Sequence, residues 1–114
     1  MDVSICFVNW RTADDLIGCV RSIEAHPPAC SYDVWIVDND SGDGSVERLR
    51  AELPGARLIA NSANVGFGRA ANQAIASSTG RYVLLLNPDM VVDPGAVDTQ
   101  IGRASCRERV CSTV

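Results

Sequence analysis

Three short segments hold the residue types that could do chemistry, and two of them directly follow an apolar run. The first, Asp38-Asn39-Asp40-Ser41-Gly42-Asp43-Gly44, puts three carboxylates within six residues, directly after Asp33-Val34-Trp35-Ile36-Val37. A carboxylate at the end of a buried strand can accept hydrogen bonds from a ribose hydroxyl or a base, and Asp38 is closest to the strand. Asp40 and Asp43, among Ser and Gly, read as turn or cap residues. A calcium loop does not fit. Its spacing requires an acid where Gly42 stands, a glycine where Asp43 stands, and a bidentate Glu at Leu49.

The second segment, Asn87-Pro88-Asp89, ends the apolar run Tyr82-Val83-Leu84-Leu85-Leu86. A solvated loop would explain it, and so would a carboxylate placed to hold something charged. Pro88 fixes its own φ and pushes Asn87 toward an extended conformation, which sets the geometry before a ligand arrives. The third segment, Gly66-Phe67-Gly68-Arg69-Ala70-Ala71, matches G-x-G-x-x-A with Asp89 about twenty residues on, as in a dinucleotide fingerprint. That match is weakened by Ser62-Ala63-Asn64-Val65, which separates the motif from the strand it should follow directly. The small residues can instead let a helix pack closely and offer backbone N–H groups to a phosphate. His26, beside two prolines, reads as a surface residue. Trp10 could stack on a base, but reads first as a core or rim aromatic.

The elements that position these segments follow from periodicity and punctuation. Val3 to Trp10 is β-branched and aromatic, a buried first strand. Thr12-Ala13-Asp14-Asp15 has the form of a capping box, and Leu16, Cys19, Val20 and Ile23 share one face of the helix it opens. His26-Pro27-Pro28 ends that helix. Asp33 to Val37 is a second strand; Val46, Leu49 and Leu53 mark a second helix, stopped at Pro54-Gly55; Ala56 to Asn61 is a short third strand. Gly66 to Ser78 is a small-residue helix closed by Gly80, and Arg81 to Leu86 is a fourth strand, expected at the centre of the sheet. This alternation predicts an α/β fold: a parallel, Rossmann-like nucleotide-binding sheet with right-handed crossovers and helices on both faces. In such sheets ligands bind beyond the carboxyl ends of the strands, which is where all the polar segments fall.

With 114 residues the chain suffices for one domain. Its net charge of −4, with Arg as the only basic residue besides His26, offers no basic patch for nucleic acid. No apolar run approaches the roughly 18 residues of a membrane helix, and the first residues lack the pattern of a secretory signal. The expected location is cytoplasmic, with peripheral placement at the inner face of the membrane as an extension of that reading. Cys6, Cys19 and Cys30 form no C-x-x-C pair and read as small buried hydrophobes. From Ile101 the composition changes to three Arg, one Glu and two Cys without an apolar period. Ile101 to Cys111 resembles the translation of a common sequencing adapter. Residues 101–114 are therefore expected to be a non-native tail, with Cys106 and Cys111 neither metal ligands nor a redox pair.

Four blocks now stand in order: VNW from Val8, VDNDSGDGS from Val37, NSANVGFGRAANQAI from Asn61, and YVLLLNPDMVVDPGAV from Tyr82. Together they resemble the family 2 glycosyltransferases of the GT-A fold, nearest to bacterial rhamnosyltransferase-like members that carry an N-P-D triplet. The resemblance runs over roughly residues 3 to 98. It implies that Asp38, with Asn39 or Asp40, contacts the donor nucleoside. It places Asn64, Gly66 and Asn72 along the donor pyrophosphate and sugar. Asn87 and Asp89 become the ends of the D-x-D metal motif, with Asp89 ligating Mg²⁺ or Mn²⁺ and Asn87 standing where many members have Asp. The implied activity is inverting transfer of a sugar, with dTDP-rhamnose the favoured donor and a UDP-sugar second, to a glycan or lipid-linked acceptor in cell-envelope polysaccharide synthesis. The family's second half, with the acceptor site and catalytic base, has no counterpart before the tail. Residues 1–100 would then be the donor-binding part of a truncated GT-A domain, inactive alone. The competing class is an NAD- or FAD-binding module of an oxidoreductase.

Overall fold

The computed structural model describes residues 2–86 and the backbone of one further strand, Val110–Thr113. In chain order the elements are β1 (Val3–Asn9), α1 (Ala13–Ala25), β2 (Tyr32–Asp38), α2 (Ser45–Glu52), β3 (Arg57–Ala60), α3 (Phe67–Ser77), β4 (Tyr82–Leu86) and β5 (Val110–Thr113). The strands form one sheet in the order β3-β2-β1-β4-β5, with every pairing parallel. β1, rather than β4, is central. It pairs along its whole length with β2 and through Val3 to Cys6 with β4, and all seven of its residues are buried.

Strand alternation divides the core in two. Val3, Ile5 and Phe7 of β1 join Val34, Ile36, Leu84 and Leu86 beneath Leu16, Val20 and Ile23 of α1 and Leu49 of α2. Cys6 and Val8 face the other way, joining Val37 and Val83 under Ala70, Ala71 and Ala74 of α3. The chain moves outward from β1 to β3 with its helices on one face, then reverses to β4 with α3 on the other. A constant crossover hand requires that change of face. Alanines on the buried side of α3 let it lie close to the sheet, as the small-residue reading expected. Cys6 and Cys19 are buried as expected, while Cys30 is half-buried.

Local details depart from expectation in two places. Thr12 is the N-cap of α1 but makes no side-chain cap; its hydroxyl donates to Asn9 Oδ1 at 3.0 Å. Gly80 does not close α3, which ends at Ser77. It lies against β1, where its N–H donates to Ser4 Oγ at 2.9 Å. A Cβ there would stand 2.5 Å from Ser4 Oγ and 2.9 Å from the Tyr82 carbonyl oxygen, and closer still to the Ser4 backbone nitrogen. Gly80→Ala is expected to destabilise the chain by about 1–3 kcal/mol through overpacking. Gly68→Ala, where nothing lies within 4 Å of the added carbon, should be neutral or stabilising by up to about 1 kcal/mol. Denaturant melts of the two variants test the contrast; similar midpoints would remove the packing role of Gly80.

The strand Val110–Thr113 pairs with Val83 to Leu86 at the open edge of β4. If the tail is non-native, this pairing adds no specific stability, and a chain ending at Gln100 should melt within error of the full chain. A clear loss of stability on deletion would show that the tail belongs to the fold.

Candidate functional site

The carboxyl ends of β1, β2 and β3 and the start of α3 carry a continuous network of polar side chains. Its first half is built on Asp38, the last residue of β2, which is only 2% exposed. Asp38 Oδ1 accepts from Asn9 Nδ2 at 2.7 Å and from the Ser41 hydroxyl at 2.7 Å. Its Oδ2 accepts the Ser41 backbone N–H at 3.2 Å. Asn9 Oδ1 in turn accepts the Thr12 N–H at 3.2 Å, and Ser41 Oγ accepts the Arg11 N–H at 2.9 Å. The buried charge is thus held by three donors, the condition under which a carboxylate can be kept in an interior. These bonds tie the turn after β1 to the turn after β2. Both turns contain a non-glycine residue at positive φ, Arg11 at 58° and Asp40 at 60°. The Arg11 side chain donates through Nε to the Ser41 carbonyl at 3.1 Å and lies over the Trp10 ring at 4.8 Å.

The second half of the network centres on Asn39, 3% exposed, whose carboxamide reaches the segment entering α3. Asn39 Oδ1 accepts the Val65 N–H at 3.0 Å, and Asn39 Nδ2 donates to the Gly66 carbonyl at 3.2 Å. Asn61, just past β3, exchanges two bonds with Gln73 of α3, at 2.7 and 3.0 Å. Gly66 has φ 88° and ψ 161°, a conformation open essentially to glycine alone, and its N–H donates to Asn64 Oδ1 at 2.9 Å.

The residues singled out from the sequence therefore separate. Asp38 and Asn39 are interior and engaged with the protein. Asp40, Asn64, Gly66 and Asn72 are exposed. Asp43 faces α2, where the Ser45 hydroxyl and then the Ser45 N–H hold its carboxyl below the usual value. Any stability this adds is present above the ordinary carboxylate pKa and fades as pH falls through the lowered one. Trp10 is a rim aromatic, 46% exposed, and Val65 and Phe67 are exposed on the segment that opens α3. Asn87 and Asp89 lie outside the described residues. Among the described residues no cluster of three or more His, Cys, Asp or Glu could hold a metal, and no helix is long and apolar enough to cross a membrane. Sequence reading did not find the bonding roles of Asn9, Ser41, Asn61 and Gln73. Asn9 and Asn61 each end or follow a strand, and that placement was the available signal.

The architecture is a parallel α/β sheet of the GT-A type, with its polar network at the carboxyl ends of β1, β2 and β3. Solved structures share it. Staphylococcus aureus TarS 1-349 matches with a TM-score of 0.74 at 20% identity, over 90% of this chain and 32% of that one. The mannosyltransferase PcManGT from Pyrobaculum calidifontis, solved with GDP-Man and Mn²⁺, matches with a TM-score of 0.74 at 21% identity, over 87% of this chain and 31% of that one. The family described as Glycosyl transferase family 2 matches residues 2–113, and the chain belongs to that family. It is 32% identical over 83 residues to N-acetylglucosaminyl-diphospho-decaprenol L-rhamnosyltransferase of Mycobacterium tuberculosis H37Rv, over 63% of this chain and 27% of the relative. It is 31% identical over 104 residues to the succinoglycan biosynthesis protein ExoO of Rhizobium meliloti, over 90% of this chain and 30% of the relative. The chain thus spans less than a third of the length of these curated relatives.

Proposed function

We propose that residues 1–100 form the donor-binding part of an inverting glycosyltransferase, and that residues 101–114 are a non-native tail. The observation that carries the first reading is the convergence of the ends of β1, β2 and β3 with the start of α3 at one edge of the sheet. There Asn64, Gly66 and Asn72 would line the pyrophosphate and sugar of a nucleotide-sugar, and Asp40, at the exposed tip of the β2 turn, would face the nucleoside. Asp38 and Asn39 enter the reading as nucleoside contacts only if their internal bonds yield to the ligand. β4 runs parallel to β1, so its carboxyl end, from which Asn87 and Asp89 follow, opens at the same edge. Asp89 would hold Mg²⁺ or Mn²⁺, with Asn87 beside the donor. Such a cation, when bound, stabilises the negative charge that develops on the departing diphosphate.

dTDP-rhamnose is the favoured donor, supported by the likeness to a rhamnosyltransferase, and a UDP-sugar is second, supported by the likeness to a TarS structure in complex with UDP-GlcNAc. The acceptor would be a glycan or lipid-linked sugar in cell-envelope polysaccharide synthesis, with the protein cytoplasmic or peripheral at the inner membrane face. The catalytic base and acceptor site are assigned to sequence that would follow this part, so the chain alone should bind without turnover. Calorimetric titration with dTDP, UDP and NADH, each with and without Mn²⁺, tests the reading. Nucleoside diphosphate binding enhanced by metal is the expected result. Tight NADH binding with no response to dTDP or UDP would replace it with the dinucleotide-module reading.

A further inference from the structure

We infer that Asn39 is a positioning residue which holds the donor-lining segment Asn64-Gly66 in place, rather than a contact to the nucleotide. The inference rests on the proposed donor site. In the run Asp38-Asn39-Asp40 an amide sits between two carboxylates, and the bonding explains why it must be an amide. Its oxygen accepts the Val65 N–H at 3.0 Å while its nitrogen donates to the Gly66 carbonyl at 3.2 Å. Only a group that both donates and accepts can make the two bonds together. An ionised Asp cannot make the second bond, and the repulsion between its charge and the Gly66 carbonyl would push the segment away and open the first as well.

The held carbonyl is also the one that starts α3, since it accepts the Ala70 N–H at 3.2 Å. The backbone N–H of Asn39 donates to the Asn9 carbonyl at 2.8 Å, so the clamp is itself anchored to the central strand. Asn61 braces it from β3. Its Nδ2 lies 3.4 Å from Asn39 Oδ1 and 2.7 Å from Gln73 Oε1, and its N–H donates to the Asp38 carbonyl at 2.9 Å. Val65 to Arg69 are otherwise exposed, and the side chain of Asn39 ties this stretch to the sheet from within.

The test uses Asn39→Asp, because protonation restores the missing donor to a carboxyl group. Burial raises the pKa of such a group and brings that restoration into reach. dTDP affinity in Mn²⁺ and the exchange protection of the Val65 amide are measured at about pH 7.5 and about pH 5, each relative to the unsubstituted chain at the same pH. The expected result is an affinity loss of about tenfold, with lost Val65 protection, at the higher pH, and recovery of both at the lower. Unchanged affinity at the higher pH would overturn the proposal, since the segment would then need no clamp. Protection that returns at the lower pH without affinity would equally overturn it, by making the amide a nucleotide contact. If the unsubstituted chain binds neither dTDP nor UDP, the donor-site reading fails, and Val65 protection alone decides whether the clamp exists: protection unaffected by Asn39→Asp sinks it.

Discussion

Asp38→Ala lowers the stability of this chain by about 2–4 kcal/mol, because it strips three buried donors of one acceptor group. Asn9 Nδ2, Ser41 Oγ and the Ser41 N–H all point at the carboxylate, and the residues that carry the first two are buried as well. Against a total of roughly 5–15 kcal/mol for a domain, that is a large share. The melting temperature should fall by on the order of 10 °C or more. Asp38→Asn should cost less, since an amide oxygen can still receive Asn9 and the Ser41 hydroxyl while its nitrogen faces the Ser41 N–H, donor to donor. Calorimetric melts of both variants check the order. The same pair separates scaffold from binding. If Asp38 also meets the donor nucleoside, folded Asp38→Asn loses roughly ten- to a hundredfold in dTDP affinity. Parent-like affinity in folded Asp38→Asn would confine Asp38 to the network, and a parent-like melt of Asp38→Ala would dismiss the network as a source of stability.

Asp89→Asn is expected to abolish the metal-dependent part of nucleoside diphosphate binding while leaving the fold intact. The amide is nearly isosteric with the carboxylate but lacks the charge a hard divalent cation requires. Asn87→Asp should act in the opposite direction, strengthening Mn²⁺-dependent binding by supplying a second carboxylate. Titrating dTDP into both variants across a range of Mn²⁺ concentrations reads presence and direction together. Should both bind like the parent at every metal concentration, the assignment of a metal to this triplet is wrong. The predicted change is all or none for one variant and a gain for the other, which loss of folding cannot imitate.

The chain's alternation of strands and helices was legible from local signals. β-branched runs, the spacing of Leu16, Cys19, Val20 and Ile23, and breakers at Pro27-Pro28 and Pro54-Gly55 place the elements from β1 to β4 within a residue or two of their observed ends, whereas β5 lies where no strand was expected. Parallel pairing follows from that alternation, since each strand returns through a helix, and so does the gathering of polar segments at one edge. The small residues of α3 were correctly read as a packing surface, because alanine on a buried face has little other use.

What the sequence could not decide is which groups satisfy one another. Asn9 and Asp38 are 29 residues apart, and Asn39 and Val65 are 26 apart, so their bonds exist only once three strands are aligned. The identity of the central strand was likewise nonlocal: β4 is the more continuously aliphatic, yet β1 lies between β2 and β4 because the chain reverses direction across the sheet. Thr12 looked like a cap by its neighbours and was claimed by Asn9, whose oxygen is fixed by the adjacent turn. Residue type and spacing determined that donors and acceptors would collect at the carboxyl edge, since backbone propensity and apolar period act over a few residues. Whether a given carboxylate there faces solvent or is saturated from within was decided by tertiary structure, because burial and hydrogen-bond partners depend on chain segments that meet only in the folded state.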